Sequence, residues 1–337
     1  DYSNHRVDRV RISDGLYLGW IGNVNATPTD GSNASCLTTP SGTATPGWCI
    51  GGTAQAGSTN GMFNAPRAVY YDSVSGYLFI VDNTGRLMKV DPSDGSFAGI
   101  TGSVNAAGAV GCSITGNVAN GWCTSGTGNG ASNGYGGING GSAIAANSTY
   151  IFVVDSSNHR LLRYNKSTGA PAGFIAKMTN GTNLNTTGTG GACSGLSGFP
   201  KATPGWCFGT AIGTAPNTTS GSEDNAFNAP RGVWADDTYV YVSDTGNNRI
   251  VRINANTGVN AGWKGLIAST SSPFTISPAA CASAGAGAVT PTWCNQGSAN
   301  PGKLLGEFDY PTGITGDANY IYVRDSHNNR TVTLPRN

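Results

Sequence analysis

The chain has 337 residues, of which 11% are charged; Lys plus Arg number 19 against 18 Asp plus Glu, the formal net charge is +1, and Gly alone fills 51 positions. A surface built from Gly, Ser, Thr and Asn lacks the basic excess that nucleic acid or anionic lipid requires of a partner, and a net charge near zero favours association over dispersal. No apolar run approaches the ~18 residues of a membrane helix, and the first residues show no signal-peptide pattern.

The chain opens at Asp1, without Met, inside the first copy of a six-residue motif, so it is expected to be a processed or incomplete product. DYSNHR (Asp1–Arg6) returns as DSSNHR (Asp155–Arg160), DTGNNR (Asp244–Arg249) and DSHNNR (Asp325–Arg330), with a shortened form, DNTGR, at Asp82–Arg86. Four of these follow an apolar strand (LFIVD, IFVVD, VYVSD, IYVRD), and alternating runs such as RIVRI and RLLRY come after, so each copy reads as a turn between strands. Recurrence at about 73 to 89 residues defines a repeat architecture.

In chain order, residues 1–22 supply a third and a fourth strand. Residues 63–100, 138–174 and 227–263 supply complete four-strand units, and residues 308–337 supply a unit lacking its outer strand. The first strand follows an F-N-A-P-R start at Phe63–Arg67 and Phe227–Arg231, becomes FDYPT at Phe308–Thr312, and is eroded at Ile138–Ala143, where Gly141 replaces Pro. Strands three and four meet at Asp14-Gly15, Asp94-Gly95, Thr168-Gly169 and Thr257-Gly258. The fourth strand ends on a small residue or Leu, then Gly and an apolar residue, as in Ala98-Gly99-Ile100. With these hairpin signals and no amphipathic helical window, the expected fold is all-β: a β-propeller of four-stranded antiparallel blades in a single domain over 1–337. The terminal pieces leave either a repeat missing upstream or open ends that pair with other copies.

Inserts 23–62, 101–137, 175–226 and 264–307 separate the blades and carry the eight cysteines in local pairs: Cys36 with Cys49, Cys112 with Cys123, Cys193 with Cys207, and Cys281 with Cys294. Trp48, Trp122, Trp206 and Trp293 precede the second member of each. Four copies of one spacing predict four local disulfides and an oxidising, extracellular compartment. A zinc site fits poorly, because the pairs lack knuckle spacing and no His lies near them.

The run FNAPRGV followed by VYVSDTGNNRIVRI resembles the NHL-repeat family of β-propellers over the blade cores, roughly half of the chain. The resemblance implies a propeller that works mostly by binding proteins, RNA or sugars through its faces. Some members are secreted lyases or lactonases with channel metals held by His and carboxylates. Here the three histidines, His5, His159 and His327, all fall inside the repeated turns, and so do Asp82 with Arg86, Asp155 with Arg160, Asp244 with Arg249, and Asp325 with Arg330. Residues repeated in every blade are expected to be structural, the Asp–Arg pairs as links between blades.

Glu223-Asp224 and Asp236-Asp237 are weighed as calcium ligands against solvated loops, and the loop reading is preferred. Gly126–Gly130 and the Gly/Thr run around Gly188 join no strand to a helix and so are not phosphate loops. Seven sequons, at Asn25, Asn33, Asn147, Asn165, Asn180, Asn185 and Asn217, match chance for this composition, but most lie in turns or inserts where a glycan fits. The insert tryptophans are read as packing cores of their loops, with sugar stacking as the alternative. The expected protein is a non-enzymatic extracellular propeller without cofactor or metal. Its expected partner is itself, as a self-associating subunit of a surface layer or filament. The alternatives are a propeller binding glycans or other surface proteins and a metal-dependent lyase or lactonase.

Overall fold

The computed structural model describes residues 1–336 except 131, 133, 181–183, 189–192, 194, 195, 197, 214–216 and 272–274. The chain divides into two compact units, residues 1–141 with 168–170, and residues 142–167 with 171–337.

The first unit begins with a hairpin of β1 (Arg6–Val10) and β2 (Tyr17–Ala26), in register from Arg6 opposite Gly22 to Val10 opposite Tyr17. It continues with β3 (Pro66–Asp72), β4 (Tyr77–Asp82), β5 (Arg86–Val90) and β6 (Phe97–Gly102), a four-stranded antiparallel sheet in chain order. Val7, Ile21, Trp48, Phe63, Ile80, Met88, Ile100 and Cys123 share one core. Both sheets therefore contribute to it, together with the inserts.

The next blade is formed by β7 (Gly141–Ala146), β8 (Tyr150–Asp155), β9 (Arg160–Asn165) and β10 (Pro171–Met178). It is followed by β11 (Gly232–Ala235), β12 (Tyr239–Asp244), β13 (Arg249–Asn254) and β14 (Asn260–Lys264), again paired in chain order. The last sheet has three strands, β15 (Pro311–Gly316), β16 (Tyr320–Asp325) and β17 (Arg330–Pro335). Four-stranded antiparallel sheets in this up-and-down order are propeller blades, and the protein is all-β. One feature was not foreseen in the sequence, a six-residue helix at Ala279–Ala284. Cys281 anchors it by a disulfide within the fourth insert, so it needs no amphipathic face of its own.

Burial along the strands shows which blades have neighbours. β12 and β13 are buried at nearly every position, because a sheet packed between two others hides both faces. In the last blade the pattern alternates: Ile321, Val323, Val332 and Leu334 are buried, whereas Tyr320, Arg324, Thr331 and Thr333 face solvent. A period of two is the signature of a sheet covered on one face only.

Candidate functional site

The repeated turn owes its sequence to one cradle. Asp244 accepts from Arg249 Nε at 2.8 Å, from Asn247 Nδ2 at 2.8 Å, and from the backbone N–H of Asn228 at 2.7 Å. Arg249 then fans out to the carbonyls of Ser222, Glu223 and Ala226 in the preceding insert. Arg86 makes the same fan to Thr59, Gly57 and Met62, and Arg330 to Lys303, Leu304 and Glu307. The ion pairs Asp82–Arg86, Asp155–Arg160, Asp244–Arg249 and Asp325–Arg330 are all present. Each closes inside one turn, and at Arg86, Arg249 and Arg330 the guanidinium also ties that turn to the insert before it, which corrects the expectation of ionic links between blades. Burial pushes the Asp244 carboxyl above the ordinary carboxylate value, opposed by the Arg249 guanidinium and the N–H donors.

Another residue of the turn makes the link from blade to blade. His5 Nδ1 accepts the backbone N–H of Ala65, His159 Nδ1 that of Ala229, and Asn248 Oδ1 that of Tyr310, each at 2.9 Å. The donors precede Pro66, Pro230 and Pro311 and have positive φ, as do the acceptor residues, where His and Asn are tolerated better than most side chains. An acceptor at Nδ1 requires neutral imidazole with its proton on Nε2. Burial lowers the His159 pKa, with Asp244 and Asp155 opposing. His327 stands two positions earlier in its turn and instead stacks on Tyr310 at 4.5 Å, exposed and beside Asp309.

All four disulfides join the cysteines paired by spacing. The second cysteine of each pair lies opposite the apolar residue that follows the Gly of a fourth strand: Trp20 with Cys49, Ile100 with Cys123, Phe174 with Cys207, and Trp263 with Cys294. That Gly is needed because the adjacent Trp passes over it; a Cβ at Gly262 would lie 2.7 Å from Trp293 Cβ. Trp48, Trp206 and Trp293 are buried and do not offer a stacking platform. Trp206 is buried between Phe152 and the Arg163 guanidinium, and Trp293 between Tyr241 and Arg252. Trp48 and Trp206 also reach the hairpin tip of the following blade. Trp48 N–H donates to Asp94 O and its Nε1 to Pro92 O, while Trp206 uses Thr257 O and Ala255 O in the same way.

The remaining sequence candidates separate. Glu223 pairs with Lys177 at 2.9 Å, Asp236 accepts from Thr238 and Tyr239, and Asp237 accepts from Ser148, so protein donors engage these acids. Among the described residues there is no group of three or more His, Cys, Asp or Glu placed to hold a metal. The Gly126–Gly130 loop packs on an arginine, since a Cβ at Gly128 would lie 2.7 Å from Arg86 Cδ. Asn25, Asn33 and Asn217 are exposed and Asn165 and Asn180 half-buried, whereas Asn147 is buried and caps a turn by accepting from Thr149 and Tyr150. The Asn185 side chain and part of the Gly/Thr run after Gly188 lie outside the described residues. A cleft of ≈ 800 Å³ in the second unit, not foreseen, is walled by Pro200, Lys201, Pro204, Asp224, Asn260 and Gln296 among others. Burial raises the Asp224 carboxyl, which accepts the Gln296 N–H. Its walls come from two inserts and a blade, and nothing in their separate sequences marks them as neighbours.

No family model matches the chain, and no curated protein matches it. Among solved structures it is similar to an auxiliary nutrient binding protein from Bacteroides thetaiotaomicron, at 13% identity and TM-score 0.40 over 94% of this chain and 56% of that one. It is also similar to a nidogen/laminin complex, at 12% identity and TM-score 0.34 over 80% and 76% of the two chains. A third similarity is to the WD40 repeats of RRP9, at 7% identity and TM-score 0.35 over 80% and 51%. The chain thus spans about half the length of two of these three.

Proposed function

We propose that this protein is a non-enzymatic, NHL-like propeller of the extracellular space whose chains associate head to tail, as subunits of a surface layer or filament. The observation that carries the proposal is the last blade: among the described residues one face and the outer edge of β17 are uncovered, and β1 carries an open edge of its own. Unpaired strand edges present N–H and C=O groups that invite another chain. A heterologous contact of this kind propagates instead of closing unless the rotation returns on itself. The near-neutral surface opposes such contact little, and four disulfides suit an oxidising exterior.

A second reading, a monomeric propeller that binds a glycan or a surface protein, is favoured by the ≈ 800 Å³ cleft. Electron microscopy and sedimentation of the oxidised chain across a concentration series separate the two. Filaments or concentration-dependent oligomers are expected. A strictly monomeric chain that binds a glycan on an array or captures a partner supports the second reading and overturns the first.

A further inference from the structure

Resting on head-to-tail association, we propose that β17 is a placeholder strand: in the assembled protein the hairpin β1–β2 of a second copy takes its position in the last blade. The motif repeat shows why an exchange is needed. β1 and β17 follow the same turn, Asp1–Arg6 and Asp325–Arg330, so both are third strands. The last blade holds strands one to three and the hairpin holds strands three and four. A complete blade made from them must discard one third strand.

Four vacancies match across the two ends. First, Arg330 sits in a cradle of three carbonyls, whereas Arg6 has ion pairs to Asp1 and Asp8 and, among the described residues, no such cradle. The Arg330 side chain is also 28% exposed, against 0% for Arg86 and Arg160 and 1% for Arg249, so its strand is the weakest anchored of the set. Second, Trp293 is 5% exposed, yet its Nε1 has no partner among the described residues, although Trp48 and Trp206 donate theirs to the carbonyl three residues before the Gly of the following hairpin tip.

Third, the corresponding tip in the first hairpin is bare. A Cβ at Gly95 would lie 2.9 Å from Trp48 N and one at Gly169 2.7 Å from the Trp122 ring, but Gly15 has nothing within 4 Å. Ile12, three residues before Gly15, is 102% exposed, while its counterpart Ala255 is 0% exposed. Fourth, a groove of ≈ 520 Å³ beside β1 is lined by Val7, Val10, Val69, Tyr71 and Leu78, where first and second strands belong, and β15–β16 of another copy would fill it. His5 already makes the onward link to Ala65, so the exchanged blade continues into the blade β3–β6 by the contact used elsewhere.

The test uses the 337-residue chain and Gly15→Asn. Asn tolerates the positive φ of this position and meets open space in the isolated chain, so folding should be unchanged. In the joint its side chain collides with Trp293. Sedimentation should show at least tenfold weaker association at an unchanged melting temperature. Amide exchange should also quicken at residues 330–335 when the native chain assembles, because β17 is released. If assembly proceeds with Gly15→Asn unaffected, or if exchange at 330–335 slows, β17 stays in place: the exchange is overturned while self-association stands. If the chain is monomeric and Trp293 is protected by its own first hairpin, or by chain continuing past residue 337 in a longer polypeptide, the second copy is overturned as occupant. A chain that never associates overturns both readings.

Discussion

Replacing Arg249 by Ala tests the claim that the repeated Asp and Arg hold the fold. Arg249 is 1% exposed and Asp244 0%. The substitution removes the hydrogen bond from Nε to Asp244 at 2.8 Å, those to Ser222 O at 2.5 Å and Glu223 O at 3.0 Å, and that to Ala226 O at 2.9 Å. Asp244 keeps two N–H donors, from Asn228 and Asn247, but loses its cation in a fully buried site. Breaking a buried pair from one side costs about 3–5 kcal/mol, since the remaining charge is left uncompensated. Urea unfolding followed by tryptophan fluorescence suits the measurement, as the guanidinium lies 6.0 Å over the Trp263 ring. Arg330→Ala, in the half-open copy, should cost only about 1–2 kcal/mol. The double variant Arg249→Met with Asp244→Leu should recover part of the loss. A cost below about 1 kcal/mol for Arg249→Ala, or equal costs at the two positions, would refute the reasoning. Loss of a measured activity at unchanged stability would transfer the turn to an enzymatic reading.

Two further outcomes follow from the same contacts. Replacing Cys112 and Cys123 together by Ser should loosen the second insert by up to about 3 kcal/mol of loop closure and leave the blades folded, with circular dichroism retained; global unfolding would contradict an insert folded onto an independent blade. Because burial lowers the folded-state pKa of His159, the unfolded chain takes up this proton first as pH falls. The stabilisation is full above the unfolded value of ~6.5 and declines progressively below it, so the melting temperature should drop between pH 7.5 and 5.5. His159→Asn, which copies the acceptor at Asn248, should flatten that slope; an unaltered slope would show that the imidazole does not carry it.

The blade order, the strand positions and the four disulfides were legible in the sequence because each depends on local chemistry repeated several times. Asp-Gly and Thr-Gly fix hairpin tips through positive φ, alternation and β-branching fix strands, and an 11- to 14-residue spacing leaves each cysteine its partner. Even the eroded start at Ile138 has a local correlate, since in the preceding turn, DNTGR, Gly85 stands before the Arg where the other copies carry the His or Asn. What the motif could not disclose was direction. Asp244 and Arg249 look alike whether they bridge two blades or close one turn, and only the fold shows that the pair is internal while His159 and Asn248 cross to the next blade. The cleft at Asp224 and the one-sided burial of the last blade were decided in the same way. Each depends on segments far apart in the chain meeting in space, and a repeat pattern records what every blade shares, not which faces are covered.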